Sequence, residues 1–482
     1  MLKLKLPLSG LILALCLSGA TLVAAQQAMN KMDAPAVLER NVRAHLEFLA
    51  SDTLNGRGSG TRDELIAGLY IAAQLRQFGI EPAGDTDAAG NKTYIQTVNV
   101  GTRQSFTAPP KLSFTADGKA NEWTHGKEIA VFRIGAGSLS GPLQKIKSDG
   151  KPDKGAIVLL EAPKDLEQRA YRQLLFKVAQ QGASAILVAA SEDVKKNWAA
   201  MSADLPTITA TAADFSNGPV LPNGFNVIFL DANAAAALQK TPDGTTLNLG
   251  GALGPMEKRQ TYNTIGVLPG TDPKADAILL TAHQDHLGVK PNTPGDNIYN
   301  GADDDASGCV AVLELARALG AGPRPKRTVY FVTFGSEEAG GFGATYFLKH
   351  PPLPLEKIAA NLEFEMIGRP DAKVKPEELW LTGYERSNLG PELAKQGAKL
   401  VQDPHPDQQF FMRSDNYALA KMGVIAHTVS SFGLHGEYHQ ANDDIAHIDF
   451  KHMTNAINSM VAPVQWLVNS DFKPAWVEGK KP

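Results

Sequence analysis

From about residue 262 onwards the chain alternates short apolar runs with amphipathic stretches, and this alternation limits the possible folds most strongly. The strand-like runs at 277–282, 328–334 and 358–364 have the length of buried strands. The stretches at 310–319 and 342–350 have helical spacing. Strands that alternate with helices pair in parallel through crossover connections. We therefore predict an α/β domain with a mainly parallel, mixed sheet and a functional site beyond the carboxyl ends of its strands.

Potential metal ligands follow the apolar runs. His283 and Asp285 point to the same side if the segment is extended, so one could bind a metal while the other orients its ring. Glu337 and Glu338 follow shortly after the second run, where solvation alone does not explain a pair of carboxylates. One could bind metal and the other could transfer protons.

Two further places are more ambiguous. The three acids at 303–305, taken alone, favour the capping of a helix N-terminus. His435 and His439 have the spacing of a zinc-binding helix, but the string is not His-Glu-x-x-His, and Gly433 and Gly436 favour a loop. One histidine of this pair could still bind metal.

Together these residues predict a carboxylate-rich hydrolytic site with two metal ions. Histidine and carboxylate ligands without thiolates suit catalytic zinc or a similar divalent ion. Cys309 has no evident base partner, and we interpret it as a small buried residue rather than a nucleophile.

The rest of the chain predicts the domain organisation. Residues 33–80 have helical spacing around a glycine-rich loop at 54–61, which lacks the ending of a phosphate-binding loop. Residues 109–255 form a separate α+β module without a catalytic motif. We therefore predict a catalytic domain in two segments, 26–108 and 256–475, an inserted domain at 109–255 and a tail at 476–482.

The N-terminus is typical of a secretory signal. Lys3 and Lys5 precede an apolar stretch at 11–17 and small residues that end at Ala25. This stretch is shorter than the ~20 residues of a membrane span, and the bulky Leu15 before Cys16 disfavours a lipoprotein signal. We predict a signal peptide at 1–25 and an exported protein, periplasmic or extracellular. The mature chain has no apolar stretch that could span a membrane, and the net charge of −4 disfavours nucleic-acid partners.

Several strings resemble one known family. In chain order they are TAHQDH at 281–286, NGADDDASG at 300–308, FGSEEAGGFGATYF at 334–347, NLEFEMIG at 361–368 and GEYHQANDDIAHID at 436–449. These strings are similar to the co-catalytic di-zinc exopeptidases, metallopeptidase family twenty-eight. LEFLASDTLNGRGSGT at 46–61 is typical of its secreted members. KGAIVLLEAP at 154–163 and VAQQGASAILVAA at 178–190 make the insert resemble a protease-associated domain.

The resemblance implies a three-layer α/β/α zinc-exopeptidase fold, two zinc ions per chain, and peptide substrates with a free N-terminus. It implies five metal ligands, which are His283, Asp304, Glu338, Glu365 and His439. It also implies that Glu337 is the general base of a metal-assisted water attack and that Asp285 orients His283. Asp304 is preferred to its neighbours because the bridging acid of the family stands three residues before the serine of a Ser-Gly pair, here Ser307.

One position departs from the family pattern. The family has an aspartate where this chain has Glu365, whose carboxylate reaches one methylene further. Glu363, two residues earlier and on the same side of an extended segment, is the alternative ligand.

Three other functions are weighed against an aminopeptidase. A carboxypeptidase or dipeptidase of the same family would need a basic residue for the substrate carboxylate, and Arg369 and Arg413 are candidates. A glutaminyl cyclase normally uses one zinc, which fits a complete two-metal set poorly. A non-catalytic binding protein would be expected to have lost ligands.

Overall fold

The structure is a computed structural model that describes residues 37–161, 168–215, 224–291 and 293–482. The predicted signal peptide, 1–25, lies outside these residues. The chain divides into a first unit, built from residues up to Val98 together with Thr261–Pro482, and a second unit, Asn99–Gln260. The predicted insert at 109–255 falls inside the second unit. None of the helices in the described ranges combines the length and apolarity needed to cross a bilayer.

The α-helices of the described residues are numbered in chain order. They are α1 Glu39–Leu49, α2 Arg62–Gln77, α3 Gln168–Gln180, α4 Glu192–Lys196, α5 Trp198–Met201, α6 Ala232–Lys240, α7 Gly308–Gly320, α8 Phe342–Lys349, α9 Leu389–Lys395, α10 Asn416–Lys421 and α11 Phe450–Asn469.

The strands are numbered in the same way. They are β1 Glu81–Pro82, β2 Ile95–Ser105, β3 Lys111–Ala116, β4 Lys119–Thr124, β5 Ile129–Arg133, β6 Ser138–Lys147, β7 Ile157–Glu161, β8 Ala185–Ala189, β9 Thr207–Thr211, β10 Asn226–Leu230, β11 Thr246–Gly250, β12 Glu257–Leu268, β13 Ala277–His283, β14 Gly288–Val289, β15 Ile298–Tyr299, β16 Val329–Phe334, β17 Ile358–Phe364, β18 Leu379–Leu381, β19 Leu400–Gln402 and β20 Ala426–Ser430.

The sheet of the first unit has the order β19-β18-β20-β17-β13-β16-β12-β2. Its centre is parallel, because β13 pairs in parallel with both β16 and β17, and β17 with β20. Antiparallel pairs flank this centre, β12 with β16 on one side and β18 with β20 on the other. The predicted α/β architecture with a mixed, centrally parallel sheet is confirmed.

Helices cover both faces of this sheet. Successive residues of a buried strand point to opposite sides, so alternate side chains enter different cores. Ile278 and Leu280 of β13 pack in the same core as α7 and α11. Leu279, between them, packs on the other face with residues of α8 and α10. The central strands β13 and β16 are mostly apolar because both faces of the sheet are covered.

The second unit has its own sheet, in the order β4-β3-β11-β6-β7-β8-β10-β5. The strands β6, β7, β8 and β10 are parallel, and the outer pairs are antiparallel. Alternate residues of β7 again enter two cores, Leu159 on the side of α6 and Val158 on the side of α3. The unit therefore has a hydrophobic core of its own.

Candidate metal centre

The chemistry-bearing residues of the first unit meet beyond the carboxyl ends of its parallel strands. His283 is the last residue of β13, and Glu365 directly follows β17. Glu337 and Glu338 lie three and four residues beyond the end of β16. Asp304 belongs to the turn Ala302–Ser307 before α7. This convergence follows from the topology, since parallel strands end at the same edge of their sheet.

One group of possible ligands consists of His283, Asp304 and Glu365, whose ligand atoms lie within 4.8 Å of one another. Nε2 of His283 is 3.1 Å from Oδ1 of Asp304. Both residues are buried, and Glu365 is partly exposed. The three side chains therefore face a common point.

A second group shares Asp304 through its other oxygen. Nε2 of His439 lies 3.2 Å from Oδ2 of Asp304 and 3.1 Å from Oε1 of Glu338. His286 joins this group, with its Nδ1 2.9 Å from the same Glu338 oxygen. Asp304 thus presents one carboxylate oxygen to each group, as a carboxylate that bridges two ions would.

The residues present fit divalent metal ions. Among the described residues, Nε2 of His283, Nε2 of His439 and Oε1 of Glu338 are buried without a hydrogen-bond partner. The two histidine nitrogens lie 3.1–3.2 Å from oxygens of Asp304, and that of His439 lies 3.1 Å from Glu338. These distances are close to the ~3.3 Å between two ligands on a tetrahedral zinc ion. Imidazole and carboxylate without thiolate form the donor set of catalytic zinc.

The two acids beside Asp304 accept hydrogen bonds from backbone N–H groups and do not belong to either group of possible ligands. Asp305 accepts hydrogen bonds from the backbone N–H of His283 (3.1 Å), Gly308 (3.0 Å) and Met366 (3.2 Å). Asp303 accepts one from the N–H of Gly368 at 2.7 Å. The three adjacent acids therefore have separate tasks, and a plain capping role does not describe them.

Asp443 and His435 brace the same turn from the C-terminal part of the chain. The carboxylate of Asp443 accepts hydrogen bonds from the N–H groups of Asp303 and Asp304, at 2.9 and 3.1 Å. Nε2 of His435 lies 2.9 Å from Oδ2 of Asp303. The predicted loop at 434–439 contains no helix. Its two histidines are divided between Asp303 and the second ligand group.

Glu363 and Glu365 occupy different surroundings. Glu363 is fully buried and accepts hydrogen bonds from the Asn416 N–H (2.6 Å) and from the hydroxyls of Ser414 and Thr428 (both 3.2 Å). Glu365 is the one that groups with the possible ligands. Burial raises the pKa of Glu365 to about 8, with Glu363 and Asp304 adding to the effect. This geometry supports Glu365 as the ligand.

Glu337 lies beside these groups, and its backbone is fixed by Asp285. The N–H of Glu337 donates to Oδ1 of Asp285 at 3.0 Å, and the hydroxyl of Ser59 donates to Oδ2 at 2.5 Å. Burial raises the pKa of the Glu337 carboxyl well above its usual range, and Asp415 and Glu365 raise it further. Nδ1 of His283 is 3.2 Å from the carbonyl oxygen of Asp285 and 3.8 Å from its carboxylate. Asp285 therefore contacts both His283 and the segment of Glu337.

The contacts between Asp304 and the neighbouring histidines shift the pKa values of this region. Burial alone would raise the pKa of Asp304, but His283 and His439 outweigh it and hold the pKa well below its usual range. Burial alone would lower the pKa of His283, but Asp285 and Asp304 outweigh it and raise the pKa. The site thus favours an ionised Asp304, which metal binding requires.

Besides Asp443, three residues of this region had no role predicted from the sequence. His286 stands in the string TAHQDH, yet the family pattern assigns it no role. Asp415 is buried with Oδ2 unpartnered among the described residues, and no sequence signal marked it. Arg57 stands between glycines in the loop at 54–61. It is buried and donates to the carbonyls of four residues, which are Leu49 (2.6 Å), Gln284 (2.9 Å), Asn300 (2.6 Å) and Gly301 (2.9 Å).

A cavity lies beside Glu365, with an aromatic wall and a cation at its edge. The wall consists of Trp380, Phe410, Phe432 and Tyr438. The guanidinium of Arg413 also lines the cavity and lies 4.9 Å from the centre of the Phe410 ring. Arg369, the other basic candidate, pairs with Glu437 at 2.8 Å. Arg413 is therefore the better placed of the two to meet a substrate carboxylate.

Cys309 is buried in the first turn of α7, and its Sγ lies 3.1 Å from the carbonyl oxygen of His283. Burial raises the pKa of its thiol. A thiol in this state is a poor nucleophile.

Comparison with known proteins shows which family model and which solved structures the chain is similar to. Residues 263–464 match the model of peptidase family M28. The aminopeptidase YwaD of Bacillus subtilis is 24% identical over 274 residues, which cover 54% of this chain and 56% of the relative. The match thus spans about half the length of that curated relative.

Solved structures extend the fold comparison over most of the chain. The aminopeptidase from Aneurinibacillus sp. strain AM-1 has a TM-score of 0.53 and 18% identity, covering 90% of this chain and 95% of its own. BSAP, a zinc aminopeptidase from Bacillus subtilis, has a TM-score of 0.51 and 19% identity, covering 91% and 97%. At these identities the likeness shows a shared fold.

Proposed function

We propose, on the premise that residues 263–464 form a domain of peptidase family M28, that this chain is a zinc-dependent exopeptidase. The proposed activity is that of an aminopeptidase, which releases N-terminal residues from peptides. The observation that carries the proposal is Asp304, whose two carboxylate oxygens each face one group of possible metal ligands. A relative named as an aminopeptidase and a structural neighbour named as a zinc aminopeptidase support it.

The proposed metal complement is two zinc ions per chain. His283 and Glu365 would hold one ion and Glu338 and His439 the other, with Asp304 shared between them. Zinc at such a site supplies Lewis-acid polarisation of a peptide carbonyl and lowers the pKa of bound water.

Glu337 is the proposed general base. Its carboxylate would take a proton from the attacking water and deliver it to the nitrogen of the leaving amine. The raised pKa of Glu337 suits a group that must both accept and return a proton near neutral pH. Asp285 and Ser59 would keep this segment in place.

The surroundings favour a substrate with a free α-amine. Glu337, Glu365 and Asp415 are close enough to affect one another electrostatically. Asp415 and Glu365 raise the pKa of Glu337, and Glu365 raises the pKa of Asp415. A cationic N-terminus placed among them would be electrostatically stabilised. This would restrict cleavage to the first residue of a peptide.

The experiment that tests this function is the substitution Glu337→Gln, assayed on aminoacyl p-nitroanilides with zinc content measured in parallel. We expect kcat to fall by about 10²–10⁴-fold, the usual contribution of general acid–base catalysis, while bound zinc is retained. Glu356→Gln, at an exposed position, is the matched control and should retain activity. Unchanged turnover in the Glu337 variant would reject the mechanism.

A carboxypeptidase or dipeptidase of the same family is the second candidate, because Arg413 lines the cavity beside Glu365. Peptides with free, N-blocked and C-blocked ends separate the two activities. An aminopeptidase should cleave C-blocked peptides and leave N-blocked ones intact. The reverse pattern, lost in Arg413→Ala, would establish the second candidate.

We also propose export and a protease-associated insert. Lys3, Lys5 and the apolar stretch at 11–17 support cleavage after Ala25. N-terminal sequencing of protein from the periplasm or medium tests this, and Gln26 should be the first residue.

The strings that resemble a protease-associated domain lie around β7 and from α3 to β8 in the second unit.

A further inference from the structure

His286 is buried among the possible metal ligands and is absent from the five assigned by resemblance. Its side chain is fully buried, and its backbone N–H donates to the carbonyl of Arg57 at 3.1 Å. Its Nδ1 lies 2.9 Å from Oε1 of Glu338 and 3.9 Å from Oδ2 of Asp304. The ring stands edge-on to that of His439, with 5.7 Å between their centres. It therefore faces the same point as Glu338 and His439.

The ring nitrogens of His286 are buried, and Nδ1 contacts Glu338 without forming a hydrogen bond. Among the described residues, neither Nδ1 nor Nε2 has a hydrogen-bond partner, and Oε1 of Glu338 has none either. By contrast, both ring nitrogens of the buried His427 are bonded, to Ser387 and Thr382 at 2.7 Å each. Buried polar groups in proteins are nearly always satisfied, so an exception calls for an explanation. A shared ion would satisfy the histidine nitrogen and the glutamate oxygen together.

Gly301 makes the space for this ring. It has a φ of +60°, and a Cβ built on it would lie 2.4 Å from Cγ of His286 and 2.2 Å from the carbonyl oxygen of Asp304. Any larger residue would displace the imidazole or the turn that carries Asp304. The close approach of the turn to the ring therefore depends on this glycine.

We infer that His286 is a fourth protein ligand of the metal ion held by Asp304, Glu338 and His439. This rests on the proposed function, since it presumes two zinc ions at the site. The two positions would then differ, with four protein ligands on the His286 side and three, His283, Asp304 and Glu365, on the other. Structural zinc positions have four protein ligands and catalytic ones keep a place open. The His286 side would thus be the tighter and more closed position.

The test compares the zinc-loaded protein with two variants, His286→Phe and His286→Gln. Phenylalanine keeps the ring without its nitrogens, and glutamine guards against misfolding caused by the bulk of the ring near Gly301. Circular dichroism checks the fold. His452→Gln is the matched control, because His452 is also buried but hydrogen-bonds to Ser431 and to the carbonyl of Pro376.

X-ray absorption spectroscopy and zinc titration against a chelator give the readouts. We expect three imidazoles per two zinc ions in the parent and control proteins, and two in both His286 variants. We also expect the tighter zinc affinity to fall by more than ~100-fold, beyond the 10–100-fold that the loss of an outer hydrogen-bond partner costs. An unchanged imidazole count in the variants would overturn the inference and make His286 a positioning residue for Glu338.

Hydrolysis of leucine p-nitroanilide by the parent protein is measured in parallel. An active, two-zinc parent with an unchanged imidazole count in the variants rejects the role of His286 alone. A zinc-loaded parent without hydrolytic activity rejects the proposed function instead.

Discussion

Single substitutions of Asp304 and Glu365 give the most specific predictions for the metal content of the protein. Asp304 is the residue that both ligand groups share. Glu365 is the one whose side chain departs in length from the family pattern. Their effects on metal content should therefore differ in kind.

Replacing Asp304 should remove both metal ions. In Asp304→Asn one oxygen of the bridge becomes an amide, which cannot bind a cation as a carboxylate does. We expect zinc per chain, measured by mass spectrometry after dialysis, to fall from about two to near zero. Asp296→Asn, an exposed aspartate, is the control. Retention of one tightly bound zinc would contradict the shared role.

Glu365 and Glu363 can be separated by matched substitutions. Glu365→Gln should lose one zinc, because it removes a charge from one ligand group and leaves Glu338 and His439 in place. Glu363→Gln should retain both, because Glu363 is surrounded by hydrogen-bond donors of the protein. The opposite pattern of zinc contents would make Glu363 the ligand.

These residues could be singled out from the sequence because each one follows a strand-like run or lies in a recognisable motif. Sequence reasoning missed His286 because the family pattern gives this histidine of TAHQDH no role, so only its burial and its unpartnered ring nitrogens identify it. It missed Asp443 for a related reason, since this residue braces the turn of Asp304 from 139 positions away.

Arg57 ties the loop before α2 to two segments of the metal centre. Its guanidinium donates to carbonyls of Gln284, Asn300 and Gly301. Arg57→Met would leave several buried carbonyls without donors, at about 1–3 kcal/mol each. We expect the free energy of unfolding in urea to fall by at least about 3 kcal/mol.

Arg62→Met is the control for this prediction. Arg62 is exposed at the start of α2, and its substitution should change the free energy of unfolding by less than about 0.5 kcal/mol. An equally small change in the free energy of unfolding for Arg57→Met would contradict the prediction. The hydrogen bonds of the guanidinium would then contribute little to stability.

His427 of β20 should give the first unit a dependence of stability on pH. Burial lowers the pKa of His427 from the ordinary value of 6.5 to about 4. Between these values the unfolded state binds more protons than the folded state, so stability falls as the pH falls from 6.5 towards 4. The full loss would be about 3 kcal/mol, at 1.36 kcal/mol per pKa unit.

The measurement is the free energy of unfolding at pH 7 and pH 5 for the parent and for His427→Gln. The advantage of the parent over the variant should shrink at pH 5, because glutamine does not titrate. The exposed His447 provides the control variant His447→Gln. A difference that is the same at both pH values would contradict the burial of a neutral His427.

Strands and helices of the first unit were largely predictable. The strand-like run at 358–364 is β17 itself, and the run at 277–282 is β13 without its last residue, His283. Such runs can be recognised because parallel strands covered on both faces are mostly apolar. The antiparallel pairing of β12 with β16 was not predictable, because it depends on contacts between distant segments rather than on a local pattern.

Chelation should act on one unit of the protein and spare the other. Zinc would bind only the folded first unit and stabilise it by mass action. Without zinc, the carboxylates of Asp304, Glu338 and Glu365 would remain close together and unscreened. We expect hydrogen exchange of β13 and β17 to accelerate in excess chelator, while β7 and β8 of the second unit stay protected. Added zinc should reverse the effect, and equal acceleration in both units would contradict it.

The thiol of Cys309 offers a consequence of a different kind. It lies in the first turn of α7, against the carbonyl of His283, and is shielded from solvent. An alkylating reagent can reach it only when the first unit opens. The rate at which the peptide containing Cys309 becomes alkylated therefore reports how often the first unit opens. This rate can be measured in a crude lysate, without purification of the protein.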